Sequence, residues 1–216
     1  MTAERARKVP LFPSLDFETQ FWLAGILQVA GLDEAGRGCW AGPVCAAAVI
    51  LPPHTDILQR LSGVRDSKQM SPDQRSFWAA EIKKAAQSWG IGFASHREID
   101  HQGILPATRL AMLRALKKCS IVPQHLLLDY VLLPQMELPQ TALVHGDALS
   151  LSIAAASILA KTARDSRLIA LDSKYPGYGF ARHKGYGTAS HRSALSRLGV
   201  SSIHRSSFQP MRDLDL

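Results

Sequence analysis

Short apolar runs separated by turn residues dominate the pattern of hydrophobic and polar positions along the chain. Runs of this kind, bounded by Gly, Pro, Asn, Asp or Ser, are typical of strands buried in a sheet. The first two runs follow each other closely, as in a hairpin, and the later ones alternate with helical segments, which indicates the α/β class. The five predicted strands cover residues 27–33, 44–51, 90–95, 126–131 and 142–144.

Capping residues mark the helical segments between these strands. The clearest helix begins at "SPDQ", where Ser71 can cap, Pro72 takes the first helical position and Gln74 completes a capping box. We expect this helix to stop at Gly90. Three further helices are predicted over residues 106–118, 151–173 and 189–198, and the segment "YPGYGFARHKGYGT" between the last two is expected to be a loop.

The composition is that of a globular protein with one main core. The chain has 216 residues, 46% of them hydrophobic and 20% charged, and one domain typically takes roughly 100 to 200 residues. We expect the domain to cover residues 25–210, preceded by a flexible N-terminal extension at 1–24, because chain ends are often poorly ordered. Residues 211–216 are expected to form a tail.

The charge balance favours an anionic partner. The formal net charge is +7, which points to nucleic acid ahead of a membrane surface. The three cysteines form no CxxC pair, so neither a disulfide framework nor a zinc knuckle is indicated. No run of uncharged apolar residues is long enough for a membrane span, and we expect a cytoplasmic protein.

The stretch "GLDEAGRGCWAGPV" sets two adjacent acids, Asp33 and Glu34, directly before a Gly-Arg-Gly turn. Gly36, Gly38 and Ala41 match the dinucleotide-binding pattern GxGxxA, but that motif needs a helix after the glycines, and a strand pattern follows here. Carboxylates at a strand end are instead suited to Mg²⁺ or Mn²⁺, and a glycine turn can bring backbone amides close to a polyanion. A tight hairpin with solvated charges is the alternative for this segment alone.

Two further acids occupy comparable positions. Asp129 ends the apolar run "HLLLD", where an acid is costly to desolvate unless it is paired or binds a cation. Asp147 lies in a turn before a long helix, where a capping role is the alternative. If both converge with Asp33 and Glu34 at one rim of the sheet, their repulsion calls for cations. Two divalent ions there could hold a scissile phosphate.

Basic and aromatic residues elsewhere are candidate contacts to nucleic acid. A single lysine is most often a solvated surface charge. Lys161, Arg164 and Asp165 lie three and four residues apart on one predicted helix, so an intrahelical ion pair is the alternative for them. Tyrosines in the glycine-rich segment could stack on a sugar or base, or pack the loop against the domain. The candidates are Ser67, Lys68, Lys161, Arg164, Arg182, His183 and Lys184 for phosphates, and Tyr175, Tyr178 and Tyr186 for stacking.

Six motifs follow one another between residues 29 and 208: "GLDEAGRG" with "AGPV", "DSKQMS", "LLLDY", "GDALSLSIAAASILAKTARD", "YPGYGFARHKGYGT" and "HRSSF". In this order they closely resemble the motifs of the ribonuclease HII family, the bacterial type 2 ribonucleases H. The resemblance implies a ribonuclease H-like mixed five-stranded sheet flanked by helices, with a small C-terminal helical part.

The resemblance also implies an activity. Enzymes of this family are endoribonucleases that hydrolyse the phosphodiester 5′ to ribonucleotides embedded in duplex DNA, and the RNA strand of RNA/DNA hybrids. The reaction uses two-metal-ion catalysis with Mg²⁺ or Mn²⁺, leaves 3′-hydroxyl and 5′-phosphate ends, and serves ribonucleotide removal in DNA replication and repair. The catalytic, metal-binding acids of the family match Asp33, Glu34, Asp129 and Asp147.

The same comparison implies a set of contacts to the substrate, which would be an RNA/DNA hybrid or a DNA duplex containing ribonucleotides. The Gly-Arg-Gly turn of the family reads ribose 2′-hydroxyls, and a family tyrosine stacks on the deoxyribose beyond the junction. We expect a monomer. The predicted nucleic-acid-binding residues are Gly36, Arg37, Gly38, Ser67, Lys68, Lys161, Arg164, Lys184 and Tyr186.

Two positions depart from the family pattern. Tyr130 stands where a glycine is usual, and His145 stands where a lysine is usual. If they spoil the metal geometry, the chain would be a catalytically weak nucleic-acid-binding protein on the same scaffold. A hybrid-specific enzyme like ribonuclease HIII is the other alternative, although that family usually carries an N-terminal substrate-binding domain. Residues 209–216 are a weak candidate for a sliding-clamp peptide.

Overall fold

A central sheet of five strands organises the molecule, which we describe from a computed structural model covering residues 10–213. The strand order is β3-β2-β1-β4-β5. β2 runs antiparallel to β1 and β3, whereas β4 runs parallel to β1 and β5. The sheet is therefore mixed, as the resemblance implied. The strands are β1 Val29–Ala35, β2 Val44–Ile50, β3 Ser88–Ala94, β4 His125–Asp129 and β5 Gln140–Leu143, each within one or two residues of its predicted bounds.

Helices cover both faces of this sheet. α7 lies on one face and α5 on the other, and each buries an apolar cluster against the strands. None of the helices within residues 10–213 has the length and apolar character needed to cross a membrane. The helices are α1 Asp16–Leu23, α2 Asp56–Arg60, α3 Pro72–Ala85, α4 His96–Gln102, α5 Ile104–Leu116, α6 Gly146–Leu149, α7 Leu151–Asp172, α8 Phe180–His183 and α9 Ala189–Leu198.

Close packing of α7 on the sheet depends on small residues. The first three turns of the helix are almost entirely buried, with Ala154, Ala155 and Ala156 fully enclosed. A side chain at Gly31 of β1 would collide with the backbone of Ser152. The missing Cβ lets the start of α7 lie directly on the backbone of the central strand at Gly31.

The helix that begins at "SPDQ" is present, but its predicted end was wrong. Ser71 accepts a hydrogen bond from the Gln74 amide at 3.2 Å and donates its own amide to the Gln74 side chain at 3.0 Å, which completes the capping box. The helix ends at Ala85 rather than before Gly90. The Gln87 amide donates to the Ile50 carbonyl, so pairing with β2 draws these residues into the sheet.

The segment before β1 also differs from the flexible extension expected at 1–24. Residues 1–9 lie outside the described part, but α1 follows and packs on the domain. Glu18 of α1 is fully buried. One of its oxygens accepts hydrogen bonds from the Ser150 hydroxyl at 2.6 Å and from the Ser152 amide and hydroxyl at 2.9 and 2.6 Å. A long-range contact at the start of α7 therefore holds α1 in place.

A small C-terminal part packs α8 and α9 against the C-terminal half of α7 and the segment before β2. Its apolar cluster centres on Phe180 and includes Ala41, Leu195 and Met211. α8 is a single helical turn inside the segment we expected to be a loop. Met211, in the predicted tail, is buried in this cluster, while residues 214–216 lie outside the described part.

Candidate active site

The predicted catalytic acids lie at one edge of the sheet. Asp33 lies near the carboxyl end of β1, Asp129 ends β4, and Asp147 is in α6. Because β1 and β4 are parallel neighbours, their carboxyl ends meet at the same edge. Side-chain oxygens of these three acids lie within 4.8 Å of one another. The structure thus brings together acids from three separate elements of the chain.

Glu34 borders this cluster without being part of it. Its Oε1 accepts a hydrogen bond from the Arg37 guanidinium at 3.1 Å. Its Oε2 is buried and has no hydrogen-bond partner among the described residues. A buried carboxylate oxygen left without a donor is destabilising, and a cation bound at this edge would satisfy it.

Local contacts hold the three clustered acids in place. Asp33 accepts the amide of Glu34 at 2.7 Å, and Asp129 accepts the amide of Gly146 at 2.9 Å. The Lys68 side chain is 76% exposed and its ammonium lies 3.4 Å from Asp147, so it approaches the cluster from the solvent side. Neighbouring amides therefore fix Asp33 and Asp129, and the Lys68 ammonium partly compensates the charge of Asp147.

The electrostatics of the cluster favour a divalent cation. Burial raises the pKa of Asp33 well above its usual value, and the nearby charges of Glu34 and Asp129 raise it further. Burial also raises the pKa of Glu34 and of Asp147, against the opposing effects of Arg37 and Lys68 respectively. An all-carboxylate donor set suits Mg²⁺ or Mn²⁺ better than zinc, which prefers nitrogen and sulfur. These residues fit a divalent metal site.

The Gly-Arg-Gly turn continues directly from this edge. Gly36 has φ +91°, a left-handed conformation, and a Cβ there would collide with the Arg164 side chain. Gly38 is exposed, and the side chain of Arg37 reaches back to Glu34. The turn therefore sits next to the acids with part of its backbone open to solvent.

Two of the predicted phosphate contacts are placed differently from what we expected. Arg164 is fully buried and donates to the carbonyls of Pro43, Lys184 and Ala41 at 2.9, 2.9 and 3.1 Å. The side chain faces inward from α7 and does not reach solvent. It links the loops that carry these three carbonyls. The Ser67 hydroxyl is likewise buried and hydrogen-bonded to Ser157 at 2.9 Å.

A basic cleft of about 340 Å³ lies beside the turn and contains most of the remaining candidates. Tyr186 is 37% exposed, and the Lys161 ammonium lies 5.1 Å from its ring centre. Lys161 also forms an intrahelical ion pair with Asp165 at 2.8 Å, which was the alternative to a phosphate contact. Lys184 donates to the Ala181 carbonyl. The cations that line the cleft are Arg75, Lys161, Arg182 and Lys184.

Other aromatic and basic candidates pack the C-terminal part. The Tyr178 hydroxyl donates to the Gly199 carbonyl at 2.9 Å, and Tyr175 is hydrogen-bonded to Ser202. His183 is buried and hydrogen-bonded to the Tyr178 carbonyl. Tyr175 and Tyr178 thus pack the loop against the domain, which was the alternative to stacking on a sugar or base. Arg75, which lines the cleft and donates to the Ser67 carbonyl at 3.0 Å, was not predicted, because nothing in the motif "SPDQR" distinguishes it from a surface helix residue.

The two departures from the family pattern share an unusual backbone conformation. Tyr130 has φ +65° and His145 has φ +58°, both in the left-handed region that glycine tolerates best. Tyr130 follows Asp129 and is 70% exposed. Despite both substitutions, the oxygens of the three clustered acids still converge, so these residues leave the carboxylate arrangement intact.

A mixed five-stranded sheet with carboxylates gathered at the ends of two parallel strands, next to a basic cleft, defines a metal-dependent nuclease of the ribonuclease H-like class. The family model described as Ribonuclease HII matches residues 30–211, and the chain belongs to this family. It is an endoribonuclease and a metal-dependent hydrolase.

Two curated relatives agree with this assignment over at least 90% of their length. The chain is 55% identical to Ribonuclease HII of Synechococcus sp. (strain JA-3-3Ab), with 94% of this chain and 90% of that protein covered. It is 52% identical to Ribonuclease HII of Moorella thermoacetica, with 95% and 97% covered.

Solved structures share the fold. The ribonuclease H2 of Pyrococcus horikoshii OT3 matches with a TM-score of 0.71 and 26% identity, covering 86% of this chain and 96% of that one. The ribonuclease HII of Archaeoglobus fulgidus, solved in complex with PCNA, matches with a TM-score of 0.69 and 27% identity, covering 85% and 96%. Bst-RNase HIII in complex with Mn²⁺ matches at 17% identity and a TM-score of 0.60, covering 80% and 70%, which shows the fold alone.

Proposed function

We propose that this enzyme hydrolyses the phosphodiester 5′ to a ribonucleotide embedded in duplex DNA, and the RNA strand of RNA/DNA hybrids, leaving 3′-hydroxyl and 5′-phosphate ends. The observation that carries the proposal is the position of the Gly-Arg-Gly turn directly after the acids, where Arg37 lies 3.1 Å from Glu34 at the border of the cluster. A 2′-hydroxyl distinguishes a ribonucleotide from the surrounding DNA. A turn that senses this group beside the acids would direct hydrolysis to the adjacent phosphodiester.

Asp33, Glu34, Asp129 and Asp147 would hold the divalent ions, Mg²⁺ or Mn²⁺. When bound, such ions lower the pKa of an attacking water and stabilise the leaving oxygen. The chain itself fixes the direction of the Asp129 carboxylate through the Gly146 amide. The presence of Mn²⁺ in the related Bst-RNase HIII supports an ion of this kind on the shared fold.

Substrate binding would use the exposed groups around the acids. Lys68 stands over the cluster and would contact a phosphate next to the scissile bond. Tyr186 would stack on a sugar, with Lys161 and Lys184 along the same cleft for the DNA backbone. Arg164 is left out of this set because it is buried. Binding by these cations would weaken as salt concentration rises.

A cleavage assay tests the proposed activity. The substrate is an end-labelled DNA duplex with one ribonucleotide, incubated with Mg²⁺, Mn²⁺ or EDTA, and the product ends are mapped. We expect cleavage immediately 5′ to the ribonucleotide with either metal, loss of cleavage in Asp129→Asn, and wild-type rates in Asp56→Asn, whose acid is exposed on α2. Binding without cleavage under every metal would contradict the proposal.

A contact with the sliding clamp through residues 209–216 stays a hypothesis. The Archaeoglobus fulgidus relative was solved in complex with PCNA. In this chain Met211 is buried in the C-terminal cluster, so a clamp that binds the segment has to displace that side chain. A pull-down with the sliding clamp should be lost on deletion of 209–216 if the contact exists, and unchanged retention would exclude this segment.

A further inference from the structure

A buried arginine lies directly behind the Gly-Arg-Gly turn. Arg205, in the motif "HRSSF", is fully enclosed. Its guanidinium donates to the carbonyls of Gly36 and Arg37, both at 2.7 Å, and to the carbonyl of Gly42 at 3.0 Å. Within residues 10–213 no carboxylate forms an ion pair with it. Burial lowers its pKa to about 10, so the group stays protonated at neutral pH, and backbone carbonyls compensate its charge.

These two short hydrogen bonds fix the direction of two neighbouring amides. The carbonyl of Gly36 shares a peptide plane with the amide of Arg37, and the carbonyl of Arg37 shares one with the amide of Gly38. In a trans peptide the C=O and N–H groups point in opposite directions. Because Arg205 draws both carbonyls inward, the amides of Arg37 and Gly38 must point outward.

Neither of these amides donates a hydrogen bond to any of the residues that the structure describes. Two successive amides that point the same way form a donor pair for an oxygen atom. They lie one turn from Glu34 and the acid cluster, where the proposed activity requires recognition of a sugar hydroxyl. A pair of backbone donors suits the oxygen of a ribose 2′-hydroxyl, and a deoxyribose offers no such acceptor.

We propose that Arg205 is a positioning residue for ribonucleotide selection: its guanidinium fork aims the Arg37 and Gly38 amides at the ribose 2′-hydroxyl. This inference rests on the proposed function and assigns its sugar selectivity to a residue that does not touch the substrate.

The arginine is itself held rigidly. Its amide donates to the Trp40 carbonyl at 2.8 Å, and its guanidinium lies 5.0 Å from the ring centre of Phe208. Asp100 of α4 accepts the amides of Ser206 and Ser207 at 3.1 and 2.9 Å. These contacts anchor the segment around Arg205, so its guanidinium can fix the conformation of the turn.

The test compares the affinities for two duplexes that differ by one 2′-hydroxyl, measured by fluorescence anisotropy in EDTA so that no cleavage occurs. Arg205→Lys keeps the positive charge but cannot hold two carbonyls with one planar fork. We expect its preference for the ribonucleotide duplex over the all-DNA duplex to fall at least fivefold, while its affinity for the all-DNA duplex stays within about twofold of wild type.

Arg75→Lys is the matched control. Arg75 also donates to backbone carbonyls, those of Ser67 and Met70, but in the loop that carries Lys68. We expect this variant to bind both duplexes more weakly and to keep the wild-type preference. An Arg205→Lys protein that keeps the preference, or that loses affinity for both duplexes equally, would overturn the inference.

An amide-to-ester replacement at Gly38, made by semisynthesis, covers the case in which Arg205→Lys does not fold. The replacement removes the Gly38 N–H group and leaves the Arg205 side chain in place. We expect the preference to fall at least threefold, and an unchanged preference would overturn the inference. A wild-type protein that neither prefers nor cuts the ribonucleotide duplex would instead refute the proposed function, so the two failures are distinguishable.

Discussion

Among individual residues, Asp33 bears a clear electrostatic strain. It is buried, and Glu34, Asp129 and Asp147 all raise its pKa. An acid whose pKa is higher in the folded than in the unfolded state is destabilising when it ionises, because folding must overcome the cost of burying its charge. Without a cation, the acid cluster is therefore a source of instability at neutral pH.

Replacing this charge should stabilise the metal-free protein. In EDTA at pH 7 we expect Asp33→Asn to raise the free energy of unfolding by about 1 to 2 kcal/mol, measured by urea denaturation. With Mg²⁺ the same variant should cleave no substrate. The exposed Asp56→Asn serves as control and should shift stability by less than about 0.5 kcal/mol. A metal-free Asp33→Asn protein less stable than wild type would contradict this account.

Tyr130 shows a second kind of strain, in the backbone. An L-residue in the left-handed region costs roughly 1 kcal/mol that glycine does not pay. Since the side chain is 70% exposed, we expect Tyr130→Gly to raise the free energy of unfolding by about 0.5 to 1 kcal/mol. Tyr130→Ala removes the ring but keeps the Cβ, so it should show no such gain. Equal stability of the two variants in urea denaturation would exclude backbone strain as the cause.

Among the secondary-structure elements, α1 and α7 form a joint that was not expected. Glu18 accepts three hydrogen bonds from Ser150 and Ser152, and the Ser14 amide donates to the Leu149 carbonyl. These contacts surround the short stretch between α6, which carries Asp147, and the start of α7. The N-terminal segment thus supports the junction beside the acid cluster.

Removing this support should be costly. Glu18→Ala leaves two buried hydroxyls without their acceptor, and we expect a loss of about 2 to 4 kcal/mol in the free energy of unfolding. Glu18→Gln keeps one oxygen acceptor and should lose clearly less. The measurement is urea denaturation at pH 7. If Glu18→Ala unfolds at the wild-type midpoint, α1 does not brace the α6–α7 junction.

Prediction from the sequence succeeded for elements with strong local signals. Apolar runs marked all five strands, and α9 was predicted at its observed bounds. The short helices α1, α2, α4, α6 and α8 were not predicted, because helices of a few residues depend on tertiary packing more than on their own sequence. The end of α3 was wrong for a similar reason, since β2 recruits the residues that follow it.

At the site, residue types and strand ends indicated which acids converge, but not where each side chain points. Arg164 and Lys161 occupy one helix three positions apart, yet one is buried under loops and the other reaches the cleft. That difference depends on how α7 is rotated on the sheet, which no local pattern encodes. The role of Arg205 was hidden for the same reason, because its acceptors are backbone atoms of a distant turn.

In the molecule as a whole, a chain of buried histidines joins the C-terminal part to the loop of Tyr186. His204 accepts the Ser201 amide on Nδ1 at 2.9 Å, so its Nε2 carries the proton and donates to His191 at 3.0 Å. His191 then donates to the Tyr186 carbonyl at 2.9 Å. His183 stacks on His191. The hydrogen bonds require the rings of His191 and His204 to be neutral.

Stability should therefore depend on pH. Burial lowers the pKa of His191 and of His204 to about 4, whereas histidine in an unfolded chain titrates near pH 6.5. As pH falls below about 6.5, the unfolded chain takes up protons that the folded chain does not, which favours unfolding. We expect the free energy of unfolding to fall by on the order of 2 to 4 kcal/mol between pH 7 and pH 5.

Variants separate this effect from other titrations. His204→Asn removes one of the two groups and should show a shallower dependence on pH, while His101→Gln, at an exposed position of α4, should keep the wild-type slope. Urea denaturation at pH 5, 6 and 7 gives the three slopes. A wild-type protein equally stable at pH 5 and pH 7 would show that these histidines are not held neutral.

The contact between Arg205 and the turn at residues 36–38 spans 169 positions, and it also orders events during synthesis. A ribosome makes the turn early and the arginine that fixes it late. Until residue 205 has left the exit tunnel, the turn has no template, although the acids at 33, 34, 129 and 147 are already outside. If the acids and Arg205 have the proposed roles, a nascent chain exposes the residues for hydrolysis before the residue that selects the target, and selectivity is the last property the enzyme acquires.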